Sequence, residues 1–420
     1  MANNLSSNIT RPLAKVFLEA FESSRVVTKT VNTQLLSGKF NPSTGTKVDF
    51  KRPHDYNSIR SAGGDISGAD KSDIIAGKAT GTVQPYFTSA TEWSNIQEAL
   101  ELDQLDQILE PMARRLVTDL ELDLAKFMRI NTGLNYGARG TAVDAWSDVA
   151  GAGAMMDSVG VPMSDNKYYL MNPFTTTSLA SAQSGLNAAD GLVRTAFEKA
   201  QIASNFGGMK ALTSNALSSY TSGTTTDRLG DLKTAPDATY VTAKDTMQQT
   251  MVIETLGTGT IEAGDQIQIA GVNRLNIATR QLILDATGAA VPWTGTVLSV
   301  VTIAGNEATV VVSGAAIFEA NGQYNNVDAA PAAGAVVTIL GAAGAVYQPN
   351  LFYTEQAFGL GTVKLPKLYS TDTVATTSDG MSIRVSKYSD GDANTQKIRF
   401  DLLPAYACFN PNFAGQGYGV

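Results

Sequence analysis

From Leu13 the apolar positions fall at Leu13, Val16, Phe17, Ala20 and Phe21, one face of a helix, with Thr10 as N-cap and Pro12 in the first turn. A helix of about ten residues is marginal in water. Its stripe must therefore dock, either on its own domain or on a neighbouring molecule. Residues 46–52 place Val48 and Phe50 in alternation with Lys47, Asp49 and Lys51 and read as a strand, and the Thr-rich residues 79–91 read as its return. Between them, Pro53 to Gly77 is rich in Gly, Ser and Asp and has no periodicity. Loops beyond about 15 residues are uncommon in compact domains unless functional. The pattern predicts a long two-stranded arm projecting from the body, ordered by packing on another subunit because an isolated ribbon is barely stable.

The strongest helical signal runs from Trp93 to about Asn131, with Ile96, Leu100, Leu105, Leu109, Met112, Leu116, Leu120, Leu124, Phe127 and Met128 on one stripe. Pro111 removes one ladder bond, which predicts a kink or break near Leu109 to Pro111. A mixed stretch follows, with a strand at Tyr168 to Met171 and helices around Pro173 to Gln183 and Asp190 to Gln201. From about Ser222 to Gln348 the texture turns rich in Thr, Val, Ala and Gly. Short β runs fall at Thr250 to Glu254, Gln266 to Ile269, Thr296 to Ile303, Ala308 to Val312 and Ala335 to Leu340. The mixed texture resumes after Asn350, with strands at Met381 to Tyr388 and Lys397 to Leu403. The layout is an α/β body interrupted by an inserted all-β barrel or sandwich, which requires the insert's two ends to lie close together.

Charge sharpens this picture. The chain of 420 residues carries a formal charge of −8. Eleven acidic and five basic residues between 222 and 348 give the insert about −6 of it, leaving the body nearly neutral. There is no basic stripe for reading nucleic acid. One histidine and one cysteine leave no Cys/His zinc cluster and no intrachain disulfide. The first residues have neither the basic nor the apolar region of a secretory signal, so export by that route is not expected. Ala329 to Val346 is uncharged, but Pro331, Gly334, Gly341 and Gly344 make it a strand between turns rather than a membrane span.

Tests for chemistry come back empty. Gly38-Lys39 and Gly77-Lys78 lack the rest of a phosphate-binding loop, and none of the Gly-x-Gly pairs has a third glycine at dinucleotide spacing. A Ser, His and acid triad has only His54 to use, at the root of the arm. Asp390-Gly-Asp392-Ala-Asn394, with Asp401 eleven residues on, partly imitates a calcium loop. Thr395 stands where the turn needs Gly, and the last ligand is not Glu, so a tight turn between strands is expected. Cys408 in an apolar run reads as a buried small hydrophobe. No catalytic residue, metal site or cofactor is expected.

Several strings resemble one family: Thr44-Gly-Thr-Lys-Val-Asp-Phe-Lys-Arg-Pro-His, Gly64-Asp-Ile-Ser-Gly, Leu192-Val-Arg-Thr-Ala-Phe with Asn205-Phe-Gly-Gly, Pro349-Asn-Leu-Phe-Tyr, and Asp390-Gly-Asp-Ala-Asn through Arg399-Phe-Asp-Leu-Leu-Pro-Ala-Tyr. The chain is similar to the major capsid (coat) proteins of short-tailed double-stranded DNA bacteriophages, in the branch with an inserted β-barrel. The resemblance covers nearly the whole chain and is weakest between about 222 and 348. It implies an α+β chain with the tailed-phage capsid fold. The parts would be an N-terminal arm (1–38), an extended loop (39–91), a spine helix (92–131), an axial and peripheral body (132–221 and 349–420) and the inserted barrel (222–348).

The resemblance also implies pentamers and hexamers on an icosahedral shell, assembled in the host cytoplasm into a virion capsid. The partners would be a scaffolding protein, a portal protein and packaged double-stranded DNA without sequence-specific binding, with no membrane. A tail or decoration protein is the alternative. On this reading, Lys47, Lys51, Arg52, Arg60, Lys71 and Lys78 of the arm would face acidic partners such as Glu98, Glu101, Asp106 and Glu110 of an adjacent subunit. The face of Leu13, Val16, Phe17 and Phe21 would dock on scaffolding or a neighbour. Lys244 and Asp245, at a loop tip between β runs, would contact the adjoining capsomer.

Overall fold

The computed structural model describes residues 15, 17–36, 40, 45–61, 63–94, 105–184, 199, 202–369 and 372–418. They fall into two compact units, one of Met1–Asp49, Thr80–Ala125 and Phe358–Ala407, the other of Phe50–Ala79, Lys126–Ala357 and Cys408–Val420. Among the described residues no helix is long and apolar enough to cross a membrane.

The first unit is built on an antiparallel sheet in the order Thr373–Thr376, Ser382–Asp390, Thr395–Leu402, Phe87–Ser94. Alternation buries Ile383 and Val385 on one strand and Ile398, Phe400 and Leu402 on the next. The helical residues 17–24 seat Phe17 on Phe400, ring centroids 3.9 Å apart, with Phe21 6.2 Å from Phe17. Arg25, at the helix end, pairs with Asp379 at 2.6 Å. Just beyond it, the buried carboxylate of Glu121 accepts the backbone N–H groups of Val26 and Thr28. Asp390 to Asn394 forms the turn between the two long strands, with Asp390 accepting from the N–H of Asp392 at 3.1 Å and Asn394 at φ +51°.

The long helix runs from Leu105 to Ile130 and passes through Pro111 without a break. The expected break is thus corrected: the proline costs one bond near the start, while Leu109, Leu116, Leu120, Leu124 and Met128 stay buried along the stripe.

In the second unit a six-stranded mixed sheet has the order Leu134–Tyr136, Ala414–Gly417, Asn350–Thr354, Lys167–Met171, Met209–Thr213, Asn205–Phe206. The helices Trp146–Val159 and Pro173–Ser184 belong to the same unit, and Val149, Ala152, Met156 and Val159 of the first share a core with Tyr169, Met171 and Phe352 of the sheet. The insert is a closed antiparallel barrel in the order Gln248–Glu254, Ala308–Ser313, Gly295–Val297, Gln266–Ile269, Val336–Ile339, Leu229–Leu232. Closure leaves no free edge. Ile253, Ile267, Val297, Val310, Val312 and Trp293 fill it. Gly295 is needed beside that indole, since a Cβ there would lie 2.6 Å from Trp293.

The chain enters and leaves the insert side by side, Tyr220–Thr221 pairing antiparallel with Val346–Tyr347. The run expected at Thr296 to Ile303 is two strands, the second of which, Val301–Thr302, pairs with Thr260–Ile261 outside the barrel.

Asp401 is fully buried and receives Arg384 Nη2 at 2.6 Å, Arg399 Nε at 2.6 Å and Thr88 Oγ1 at 2.7 Å. Burial alone would raise its pKa, but the bonds from Arg384, Thr88 and Arg399 outweigh it and hold the carboxyl below its ordinary 3.8. A depressed acid contributes stability that is present above the unfolded value and lost as pH falls through the folded one. Asp401→Asn should cost about 3–5 kcal/mol at neutral pH by stranding two guanidinium groups. It should also flatten the loss of stability below about pH 4 in a urea-unfolding series. An acid limb as steep as the parent's would contradict this.

Candidate functional site

A dense polar cluster among the described residues joins the insert to the body. Asp265 lies in the turn before the strand Gln266–Ile269 and is fully buried. Its carboxylate accepts from Ser222 Oγ at 2.7 Å, Gly223 N at 2.9 Å and Glu262 N at 3.0 Å, and pairs with Arg139 Nη1 at 3.5 Å. Arg139 follows the body strand Leu134–Tyr136 and also donates to Tyr220 Oη and, at 3.3 Å, to Gly264 O. Its guanidinium lies 4.8 Å from the ring of Tyr418 and 5.6 Å from that of Tyr347. From the insert, Arg228 donates to Ser222 Oγ at 2.6 Å and to Gly341 O at 3.0 Å. Arg129, in the last turn of the long helix, stacks 4.1 Å over the ring of Tyr220. Burial pulls its pKa below the ordinary 12.5.

A second buried arginine crosses the same junction. Arg274 of the insert donates to Gly133 O of the body, to Thr294 O at 2.8 Å and to Asn412 Oδ1 at 3.3 Å. These acceptors are neutral, and burial pushes its pKa down to about 9. Close approach is built in: a Cβ on Gly133 would meet Pro411 O at 2.9 Å, and one on Gly314 would lie 3.0 Å from Gly133 Cα. Gln266 Nε2 donates to Leu134 O at 3.1 Å, and Thr132 and Thr296 share a hydroxyl bond at 3.1 Å. An apolar tongue adds to the seam, Ile283 and Val291 of the insert packing in the body core around Met156 and Val159. Donors aimed at carbonyls and carboxylates on both sides do mechanical work: they fix the insert's position.

The sequence-predicted residues lie elsewhere. Lys47, Lys51, Arg60, Lys71 and Lys78 are exposed. Arg52 is corrected as a free contact: its guanidinium donates to Phe409 O and to Lys78 O at 3.0 Å, and burial lowers its pKa. Glu98 and Glu101 lie outside the described residues, and Asp106 falls in the first turn of the long helix. Glu110 pairs with Arg114 on its own helix. Leu13 and Val16 lie outside the described residues, while Phe17 and Phe21 are buried within their own chain. Their face is already covered, which corrects the expectation that those two rings dock on scaffolding. Lys244 and Asp245 lie in the turn between the short helix Tyr240–Ala243 and the strand Gln248–Glu254 and pair with each other at 2.7 Å.

The root of the arm is held by its own insert rather than standing free. Asp55 pairs with Arg280, Asn57 Nδ2 donates to Asn321 O at 2.7 Å, and Gln323 Nε2 to Asp73 O at 2.6 Å. His54 is exposed, 6.4 Å from the ring of Tyr56. Burial pushes the Cys408 thiol up to about 12, far from a reactive thiolate.

The P22 coat protein (gene protein 5) family profile matches residues 1–419. The chain belongs to that coat protein family. It is 48% identical over 424 residues to the major capsid protein of Acyrthosiphon pisum secondary endosymbiont phage 1, covering 100% of both chains. The coat protein is thus a phage major capsid protein, a structural component of the shell. It also aligns with the capsid of Cyanophage P-SCSP1u at 13% identity and TM-score 0.45, covering 93% of this chain and 86% of that one. An alignment with Mycobacterium phage Che8 gives 11%, 0.46, 94% and 89%. The family match, not these distant superpositions, identifies the coat protein.

Arg274→Ala in the coat protein should leave Gly133 O, Thr294 O and Asn412 without their donor and open a void, costing about 3–5 kcal/mol in urea unfolding. Arg274→Met should recover part of the loss by refilling the void. A cost below about 1 kcal/mol for Arg274→Ala would show that the junction does not depend on this side chain.

Proposed function

We propose that this major capsid protein closes into pentamers and hexamers of an icosahedral shell by lapping the arm of residues 53–77 over an adjacent copy. The observation that carries this is the arm's surface. Tyr56, Ile59, Ile66 and Ile74 are 54%, 38%, 43% and 78% exposed along a segment that its own insert holds near its two ends. Large side chains left in water on an extended segment gain most from a neighbour's surface. Arg60 and Lys71 on this segment and Lys51 just before it stand exposed beside Asp65, Asp70 and Asp73, so the arm offers charges of both signs to a neighbour.

Rings that close at five or six copies need different patches to left and right. Many weak contacts of this kind hold a closed shell through their number. The remaining partners follow the family: a scaffolding protein, a portal and packaged double-stranded DNA held without sequence reading, in a non-catalytic role with assembly in the host cytoplasm. The body's near-neutral charge suits DNA that must leave again.

Lys51→Glu/Lys71→Glu reverses two exposed charges that form no ion pair among the described residues. The double variant should stay folded by circular dichroism and yield at least about tenfold fewer closed particles by electron microscopy, as the loss of a multivalent contact requires. Parental yields of normal shells would remove the arm from the contact.

A further inference from the structure

Three guanidinium groups, those of Arg129, Arg139 and Arg228, gather around the single buried carboxylate of Asp265. That carboxylate is already used by Ser222, Gly223, Glu262 and Arg139. Arg129 itself is 6% exposed, and its Nε and Nη1 are buried with no acceptor among the described residues; the Nε of Arg139 is in the same condition. The tyrosines around them supply ring faces and hydroxyls, not charge, because burial raises Tyr220 and Tyr418 above their ordinary value and keeps them neutral. Glu262 turns its carboxylate to Thr260 Oγ1, at 3.3 Å. Gly264 stands against Arg129 with φ +101°, where a side chain would be strained and its Cβ only 3.2 Å from Nη1. Glycine is thus the residue that this flank of the guanidinium accommodates.

An uncompensated buried cation costs far more than an unmade hydrogen bond. Water can accept from an N–H but brings no charge. We propose that Arg129 and Arg139, with Tyr220, form a buried site for a small inorganic anion of the size of chloride at the junction of insert and body. The anion accepts from the orphaned donors and balances the excess positive charge, so that seating the insert on the body and binding the anion are one equilibrium.

The test is urea unfolding of the purified full-length chain at constant ionic strength, with chloride exchanged for gluconate, which is too large to enter. Once the site is saturated, raising chloride from about 10 to about 300 mM should raise the folded-to-unfolded ratio about thirtyfold. Arg129→Met should abolish this dependence. A parent indifferent to the exchange, or a variant with the parent's chloride dependence, overturns the proposal. If Arg129→Met does not fold, the chloride NMR linewidth of the parent decides. Broadening that bromide reverses supports the site, and a linewidth unchanged by the protein overturns it.

Discussion

Burying arginine without a matching acid is the constraint around which the second unit is organised. Arg274 is 1% exposed; its two terminal nitrogens donate to neutral oxygens drawn from both the insert and the body, while its Nε is buried without an acceptor among the described residues. Its desolvation is offset only if Gly133, Thr294 and Asn412 stay where they are. The insert therefore has one seated position on the body in which its buried cations have partners. Glycines at 133 and 314 allow the two backbones to come close enough for it. The paired ribbon Tyr220–Thr221 with Val346–Tyr347 delivers the barrel to that position, and the Ile283 tongue locks it from another direction.

For a shell subunit this arrangement has a clear use. A barrel joined only by two linkers would swing, since interfaces within a chain default to relative motion unless they are large or strongly paired. A swinging insert could not present the same surface to a neighbour in every copy. Its own root contacts extend the effect to the arm, because Arg280, Asn321 and Gln323 of the insert grip Asp55, Asn57 and Asp73. Where the arm starts and ends is fixed by the insert, and where the insert sits is fixed by the seam.

Much of this was legible in the chain, and the failures have physical causes. Gln266 to Ile269 alternates Gln with Ile and Ala308 to Val312 holds a continuous β-branched run, so both read as strands, and each pairs on both sides. The sixth barrel strand, Leu229–Leu232, was not, since Gly230 and Asp231 dilute its pattern. That Gly is required, for a Cβ would lie 2.7 Å from Ile253. The arm was legible as a loop too long to be idle, but nothing in residues 53–77 says that its root lies on segment 321–324 of the same chain. The seam left no local trace at all. Arg129 sits between Met128 and Ile130 at a helix end, and Arg139 and Arg274 stand in loops, where arginine is ordinarily solvated. Contacts with segments distant in the chain, such as Arg274 with Gly133 and Arg139 with Asp265, help to bury them. The spacing of Phe17 and Phe21 requires a surface to cover them, but a stripe does not name its partner, and here it is the chain's own Phe400 that stacks on Phe17.

The central claim is that the insert is rigidly seated on the body, and a distance distribution between them tests it most directly. Spin labels at Phe174→Cys on the body and Val300→Cys on the insert, both well exposed, are placed selectively in a Cys408→Ala background, which removes the one native thiol. Pulsed electron resonance on the purified chain should give one narrow distance between the labels. A broad or two-peaked distribution would show a barrel free to swing and would contradict the account.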